Sequence, residues 1–326
     1  MRNVSICGTG SYVPERVVSN KDLEKMVDTT DEWIRARTGI EERRIASADS
    51  CTSDMAFSAA QGALESAGMK SGDIEMIVVA TITPDMVEPS TACFVQQKLG
   101  IKGNIAFDVN AACSGFVYAL SAAYSYLASG MVDNALVIGA ESLSKVTDWE
   151  DRSTCVLLGD GAGAVVLKPE EGKRGLISFS LGADGSSWEL LHIPGGGSRM
   201  PPCAESIEKR MHYIKMKGNE LFKIAVRVLV EAAGSALAKA GLSVDDVDWL
   251  IPHQANLRII NAVAKRLGID EGKVYTNLQA YGNTSAASIP IALHEAAGKG
   301  VLKEGDIILL DAFGGGLTWG ACVLEW

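Results

Sequence analysis

The chain has 326 residues, 47% of them hydrophobic and 21% charged, enough to bury a large core as one big domain or two smaller ones. Its 40 acidic against 30 basic side chains give a formal net charge of −10, which argues against general nucleic-acid binding, a role that needs a basic face. No stretch approaches the ~20 apolar residues that span a bilayer, and the start, Met1-Arg2-Asn3-Val4-Ser5-Ile6-Cys7-Gly8, lacks a signal-peptide core. A cytoplasmic protein is therefore expected, with no membrane association.

In chain order, a short helix is expected over Thr30–Arg37, N-capped by Thr29 or Thr30, then a helix over Ser53–Ser66 and a strand over Met76–Ala80. Strand Ala106–Val109 leads into helix Ser114–Ala128 and strand Leu136–Ile138. His192–Lys217 is rich in Pro and Gly and reads as a loop excursion. Helix Leu221–Ala240, strand Trp249–Ile251, helix Leu257–Leu267, strand Val274–Asn277, helix Thr284–Ala297 and strand Ile307–Leu310 complete the series. Strands apolar on both faces and separated by helices imply sheets covered by helices on both sides.

The series repeats. Ala67-Gly68 and Ala240-Gly241 close similar helices at a spacing of 173, and the segments beginning at Asp133 and Gly305 match at 172. A looser match, Gly163–Leu167 with Gly320–Leu324, falls at 157. A duplication of half the chain is expected, with halves at 1–172 and 173–326 packed as a layered α/β/α/β/α body.

Seven scattered cysteines without a C-x-x-C pair predict neither a metal site nor a disulfide framework. Six read as small buried hydrophobes. Cys113, in Asn110-Ala111-Ala112-Cys113-Ser114-Gly115, stands where a strand turns into a helix. Free N–H groups and the helix dipole would there favour a thiolate and lower its pKa. This turn alone leaves two readings open, a nucleophile or a packing cysteine. His253 follows a buried strand in Pro252-His253-Gln254-Ala255-Asn256, and Asn283 stands at a helix entrance in Gly282-Asn283-Thr284-Ser285. At a spacing of 170, Asn283 reads as the counterpart of Cys113, which would bring all three side chains to one crevice at the strand ends.

These motifs, with Thr30–Ile40, Gly159-Asp160-Gly161-Ala162-Gly163 and Phe313-Gly314-Gly315-Gly316, resemble β-ketoacyl-acyl-carrier-protein synthase III of the thiolase superfamily over essentially the whole length. The resemblance implies a thiolase-like five-layer αβαβα fold and a decarboxylative Claisen condensation. Cys113 would take the acyl group of an acyl-CoA, and malonyl-acyl-carrier protein would lose CO₂ to give the attacking enolate. His253 and Asn283 would hold the enolate oxygen, and Asn283 donates at any working pH. The backbone N–H groups of Cys113 and Gly315 would hold the thioester oxyanion, and Phe313 would favour loss of CO₂.

For acyl-CoA, Trp33 and Arg37 are one helical turn apart and could stack adenine and pair a phosphate, although without the resemblance a surface cation–π pair is the favoured reading. The family places Arg152 on the adenine's other side and Gly218 and Asn256 along the pantetheine arm. Lys223, Arg258, Lys265 and Arg266 match its basic patch for the acidic carrier protein, against the alternative of a solvated helix face. A homodimer is implied, lined by a Thr91–Leu99 helix. Acyl-CoA enters as substrate, and no cofactor is expected, because neither Gly8-Thr9-Gly10 nor the 159–163 glycines sit between a strand and a helix. Glu88 departs from the family, which usually has an apolar or aromatic residue there, reaching the partner's acyl pocket. That carboxylate keeps a second reading open, head-to-head condensation of two acyl-CoAs without decarboxylation. A related secondary-metabolite ketosynthase is a third.

Overall fold

Strands that are apolar on both faces need cover on both sides, and the computed structural model, which describes residues 2–172 and 175–326, supplies it in five layers. The first sheet runs in the order β1 (Val4–Tyr12), β5 (Gly161–Pro169), β4 (Ala135–Glu141), β2 (Met76–Ala80), β3 (Ile105–Val109). The second runs β6 (Leu176–Ala183), β9 (Thr318–Glu325), β8 (Ile307–Gly314), β7 (Trp249–Pro252). In both, the first three neighbours are antiparallel and the inner pair, β4 with β2 or β8 with β7, is parallel. The halves therefore match over four strands, β3 having no laddered counterpart, and the looser 163/320 match falls on the equivalent strands β5 and β9. The halves' expected boundary at 172/173 meets residues 173–174, outside the described residues.

Between the sheets lie α4 (Gly115–Ala128) and α7 (Ser288–Gly298). Phe116, Leu120, Leu127, Ile289 and Leu293 pack there on Val78, Val137 and Val165 of one sheet and Ile251, Ile308 and Leu310 of the other. Each such side chain contributes ~1.5–3 kcal/mol by leaving water, so this layer fixes where α4 and α7 begin. Outside the first sheet, α2 (Thr52–Ala67) and α3 (Thr91–Lys98) cover Ile77, Val79 and Ile138. Outside the second, α5 (Gly218–Ala240) and α6 (Leu257–Leu267) cover Leu250, Leu309 and Val323. A short helix, α1 (Asp31–Thr38), is capped by Thr30, whose hydroxyl accepts from Trp33 N–H at 3.1 Å.

One expected strand is absent. Val274–Asn277 makes a single bridge, to Leu250, and one bond from Tyr275 N–H to Leu250 O. The Gln254 side chain takes the place of a ladder: its amide donates to Tyr275 O and its carbonyl accepts from Asn277 N–H. The excursion at 192–217 is real and ordered by a two-stranded clip, Leu191–His192 with Lys215–Met216. It is pinned by an ion pair from Arg210 to Asp148. No helix among the described residues is long and apolar enough to cross a membrane.

Candidate active site

Both central helices start from the same turn. Single 3₁₀ turns, Ala112–Ser114 and Ser285–Ala287, precede α4 and α7. Ala112 and Ser285 both hold positive φ, +47° and +49°, a conformation that costs a non-glycine residue ~1–2 kcal/mol. From 112 to 285 is 173 positions, the spacing of the first repeat match. On that register the counterpart of Cys113 is Ala286, and Asn283 corresponds to Asn110. This corrects the pairing expected at 170. The two asparagines close the same Asx turn: Asn110 Oδ1 accepts from Ala112 N–H at 3.5 Å and Asn283 Oδ1 from Ser285 N–H at 2.8 Å.

Cys113 does not have the depressed pKa that its place before a helix suggested. Burial pushes the thiol up to about 12, and the neighbouring Glu141 carboxylate adds to the rise. The α-helix proper begins two residues later, at Gly115, after the 3₁₀ turn that carries the cysteine. A neutral thiol is the resting form.

His253 follows β7, with its N–H bonded to Asp311 O at 2.8 Å. Burial holds its imidazole down to about 3, so it is neutral. Its Nδ1 lies 2.7 Å from Ser288 Oγ, which already accepts from Gln254 N–H at 3.2 Å. With the serine proton directed to Nδ1, Nε2 carries the ring proton and is a donor. Asn283 is held on both sides of its peptide, N–H to Leu157 O at 2.8 Å and O from Gly159 N–H at 3.0 Å. Because its Oδ1 is taken by Ser285 N–H, its amide Nδ2 is the outward donor. The turn 283–288 is thus the hub: its 285–287 segment packs on the cysteine turn, and Ser288 adjoins His253.

The glycine loop closes the site from the second sheet. A Cβ on Gly314 would stand 2.5 Å from Cys113 N, and one on Gly315 2.8 Å from Leu191 O, so only glycine lets this backbone reach the cysteine turn. Thr318 ties the two together, donating to Ala111 O at 2.8 Å and accepting from Ser114 Oγ at 2.9 Å. Phe313 lies between α5 and the loop, beside a cavity of about 30 Å³ lined by Leu229, Pro252, His253 and Ile259. Asp311 also lines it, with neither carboxylate oxygen bonded, and burial alone pushes its pKa up to about 7.

At the rim, the Arg37 and Arg152 guanidiniums lie 5.7 and 4.9 Å from the Trp33 ring centroid, and Arg152 also donates to Asp28 O at 2.8 Å. Asn256 caps α6 through Arg258 N–H and donates to Arg37 O at 3.2 Å, which ties α6 to α1. Gly218 opens α5 at the surface. Lys223 and Arg258 are exposed on adjoining helices, Arg258 lying 5.7 Å from the Phe222 ring. Lys265 and Arg266 are exposed at the far end of α6, roughly 10 Å along its axis. Glu88 is exposed beside Val87, which is 94% exposed, and hydrogen-bonds nothing among the described residues.

Ser285 and Ser288 belong to a motif the sequence displays, but their roles depend on tertiary contacts that spacing does not encode. Glu141 and Asp311 were missed. The available signal was an acid at or near the end of an otherwise apolar strand, in Ala135-Leu136-Val137-Ile138-Gly139-Ala140-Glu141 and Ile307-Ile308-Leu309-Leu310-Asp311.

The chain is similar to known proteins of one family. Residues 107–185 match the family described as 3-oxoacyl-[acyl-carrier-protein] synthase III, and residues 237–326 match its C-terminal family. The β-ketoacyl-[acyl-carrier-protein] synthase III of Desulfitobacterium hafniense is 55% identical over 326 residues, 100% of this chain and 98% of that protein. The crystal structure of 3-oxoacyl-[acyl-carrier-protein] synthase III from Aquifex aeolicus superposes with a TM-score of 0.93 at 53% identity, covering 99% of this chain and 100% of that one. The priming β-ketosynthase of the R1128 polyketide pathway superposes with a TM-score of 0.92 at 37% identity, covering 99% and 96%.

Proposed function

The chain belongs to the 3-oxoacyl-[acyl-carrier-protein] synthase III family, and from that premise we propose that it condenses an acyl-CoA primer with malonyl-acyl-carrier protein, releasing CO₂ and forming the first β-ketoacyl-acyl-carrier protein of fatty-acid synthesis. Cys113 attacks the acyl-CoA thioester and keeps the acyl group while CoA leaves as its thiol. Malonyl-acyl-carrier protein then enters the same crevice. Its thioester oxygen takes hydrogen bonds from His253 Nε2 and Asn283 Nδ2, which stabilise the enolate oxygen formed as CO₂ departs. The enolate carbon attacks the acyl carbon, and the Cys113 sulfur leaves.

The observation that carries this reading is the 283–288 turn, which packs against the turn bearing Cys113 and holds the histidine through Ser288. Both donors are neutral, so they favour an oxyanion without titrating near neutral pH. Trp33, Arg37 and Arg152 supply an aromatic face and two guanidiniums for the adenine and phosphates of CoA. Lys223 and Arg258, with Lys265 and Arg266 beyond them, receive the acidic carrier protein. Phe313 and Gly315 border the reacting carbons, Gly218 and Asn256 the pantetheine arm. Two copies assemble, with Glu88 at the contact.

Purified enzyme given an acyl-CoA and malonyl-acyl-carrier protein should release CO₂ and yield the β-ketoacyl product. Product from acyl-CoA alone, with no malonyl donor, would replace this reading with head-to-head condensation.

A further inference from the structure

The first half-reaction leaves a proton to be placed. Cys113 rests as a buried thiol, yet it must attack as a thiolate. In the tautomer in which Ser288 donates to Nδ1, His253 presents an N–H to the site and no lone pair to the thiol. Another acceptor is at hand.

Glu141 ends β4 beneath the cysteine turn and is fully buried. Its carboxylate is held in a cage of donors: Thr83 Oγ1 at 2.6 Å, Thr81 Oγ1 at 3.2 Å and Ile82 N–H at 3.1 Å. Gly139, two residues earlier, lets the 285–287 turn lie directly on β4, since a Cβ there would stand 2.2 Å from Ala286 O. Ser285 stands on the turn packed against both the cysteine turn and β4, and its hydroxyl is buried with no hydrogen-bond partner at rest. The backbone holds it there in the left-handed region, at φ +49°. The titratable group beside Glu141 is Cys113, and no cation among the described residues hydrogen-bonds to its carboxylate.

We propose that Glu141, acting through the Ser285 hydroxyl, accepts the Cys113 proton during acylation and returns it to the departing CoA thiolate. The proton passes from sulfur to Ser285 Oγ while the Ser285 proton passes to the carboxylate. The sulfur–carbon bond to the acyl group forms, and the acyl–CoA sulfur bond breaks. The reverse transfer delivers the proton to CoA, so charge and protons balance with no added reactant. The proposal rests on the synthase reading for its thioester, but the proton path can be tested without one. Burial holds Glu141 up to about 7, so the path is open above neutral pH and closes as the carboxyl protonates below it.

The test compares wild type, Glu141→Gln, Glu141→Asp and Ser285→Ala. Alanine already occupies the same left-handed position at Ala112, so Ser285→Ala keeps the fold if Glu141→Gln does not. Iodoacetamide alkylation of Cys113 is followed against pH, and S-acylation by acetyl-CoA by intact mass in a single turnover. Wild type should show an inflection in alkylation near neutral pH, lost in Glu141→Gln and Ser285→Ala and restored in Glu141→Asp. Acylation in the first two should fall on the order of 10²-fold. A wild-type alkylation profile in Ser285→Ala, or wild-type acylation in Glu141→Gln, overturns the relay. Should wild type take no acyl group from acyl-CoA, the synthase reading fails, and the alkylation profile still decides the relay.

Discussion

The turn that opens α4 and the turn that opens α7 share a backbone, an asparagine and a strained left-handed residue, yet one carries Cys113 where the other carries Ala286. Their surroundings diverge in the same complementary way. From 80 to 253 and from 141 to 314 are again 173 positions, so His253 answers to Ala80, and Gly314 to Glu141. The first half keeps the nucleophile and a buried acid. The second keeps the neutral donors and the glycine loop. Because the two turns pack against each other, a single site can draw on both. Each half could lose what the other retained.

The comparison breaks first at its most unequal position. Cys113→Ala should abolish the S-acyl adduct by intact mass and lower condensation by on the order of 10³-fold or more, since no other group on either turn can carry the acyl chain. A smaller effect belongs to Ser288→Ala, which frees the His253 tautomer. Carbon dioxide release from the malonyl donor should fall roughly tenfold, with the adduct on Cys113 still forming.

Asp311→Asn should act on stability. The folded acid holds its proton up to about 7, while the unfolded one releases it near ~3.9. Its stabilising contribution is complete below the unfolded value and is lost as pH rises through the folded one. Urea unfolding at acid and neutral pH should show that the variant lacks this fall, on the order of a few kcal/mol. Least affected should be Asn110→Ala. Although it is the structural twin of Asn283, its amide is exposed and its turn bond is long, so stability by urea unfolding should move by no more than ~0.5 kcal/mol.

Much of this was legible in the chain itself. Period and apolar runs located the parallel strands and the long helices, and Leu257–Leu267 falls on the residues expected, while the antiparallel strands β1, β5, β6 and β9 were not in the expected series. Val274–Asn277 failed because a side chain, Gln254, satisfied backbone groups that a neighbouring strand would have taken. The repeat spacing of 172–173 contained the correct twin of Cys113, but matching catalytic-looking residues at 170 obscured it. The thiol's raised pKa was not readable, because desolvation depends on which layers close over the sulfur. Neither was the His253 tautomer, which hangs on one serine thirty-five residues away.

The central claim is that Cys113 carries the acyl group while the His253 and Asn283 donors serve decarboxylation. A single-turnover comparison of wild type with Asn283→Ala tests it most directly, reading S-acylation of Cys113 by mass and CO₂ release from malonyl-acyl-carrier protein on the same sample. The account predicts that the adduct still forms while CO₂ release falls by ~10²–10³-fold, the cost of one oxyanion donor. Loss of both steps in equal measure, or loss of acylation alone, would contradict it.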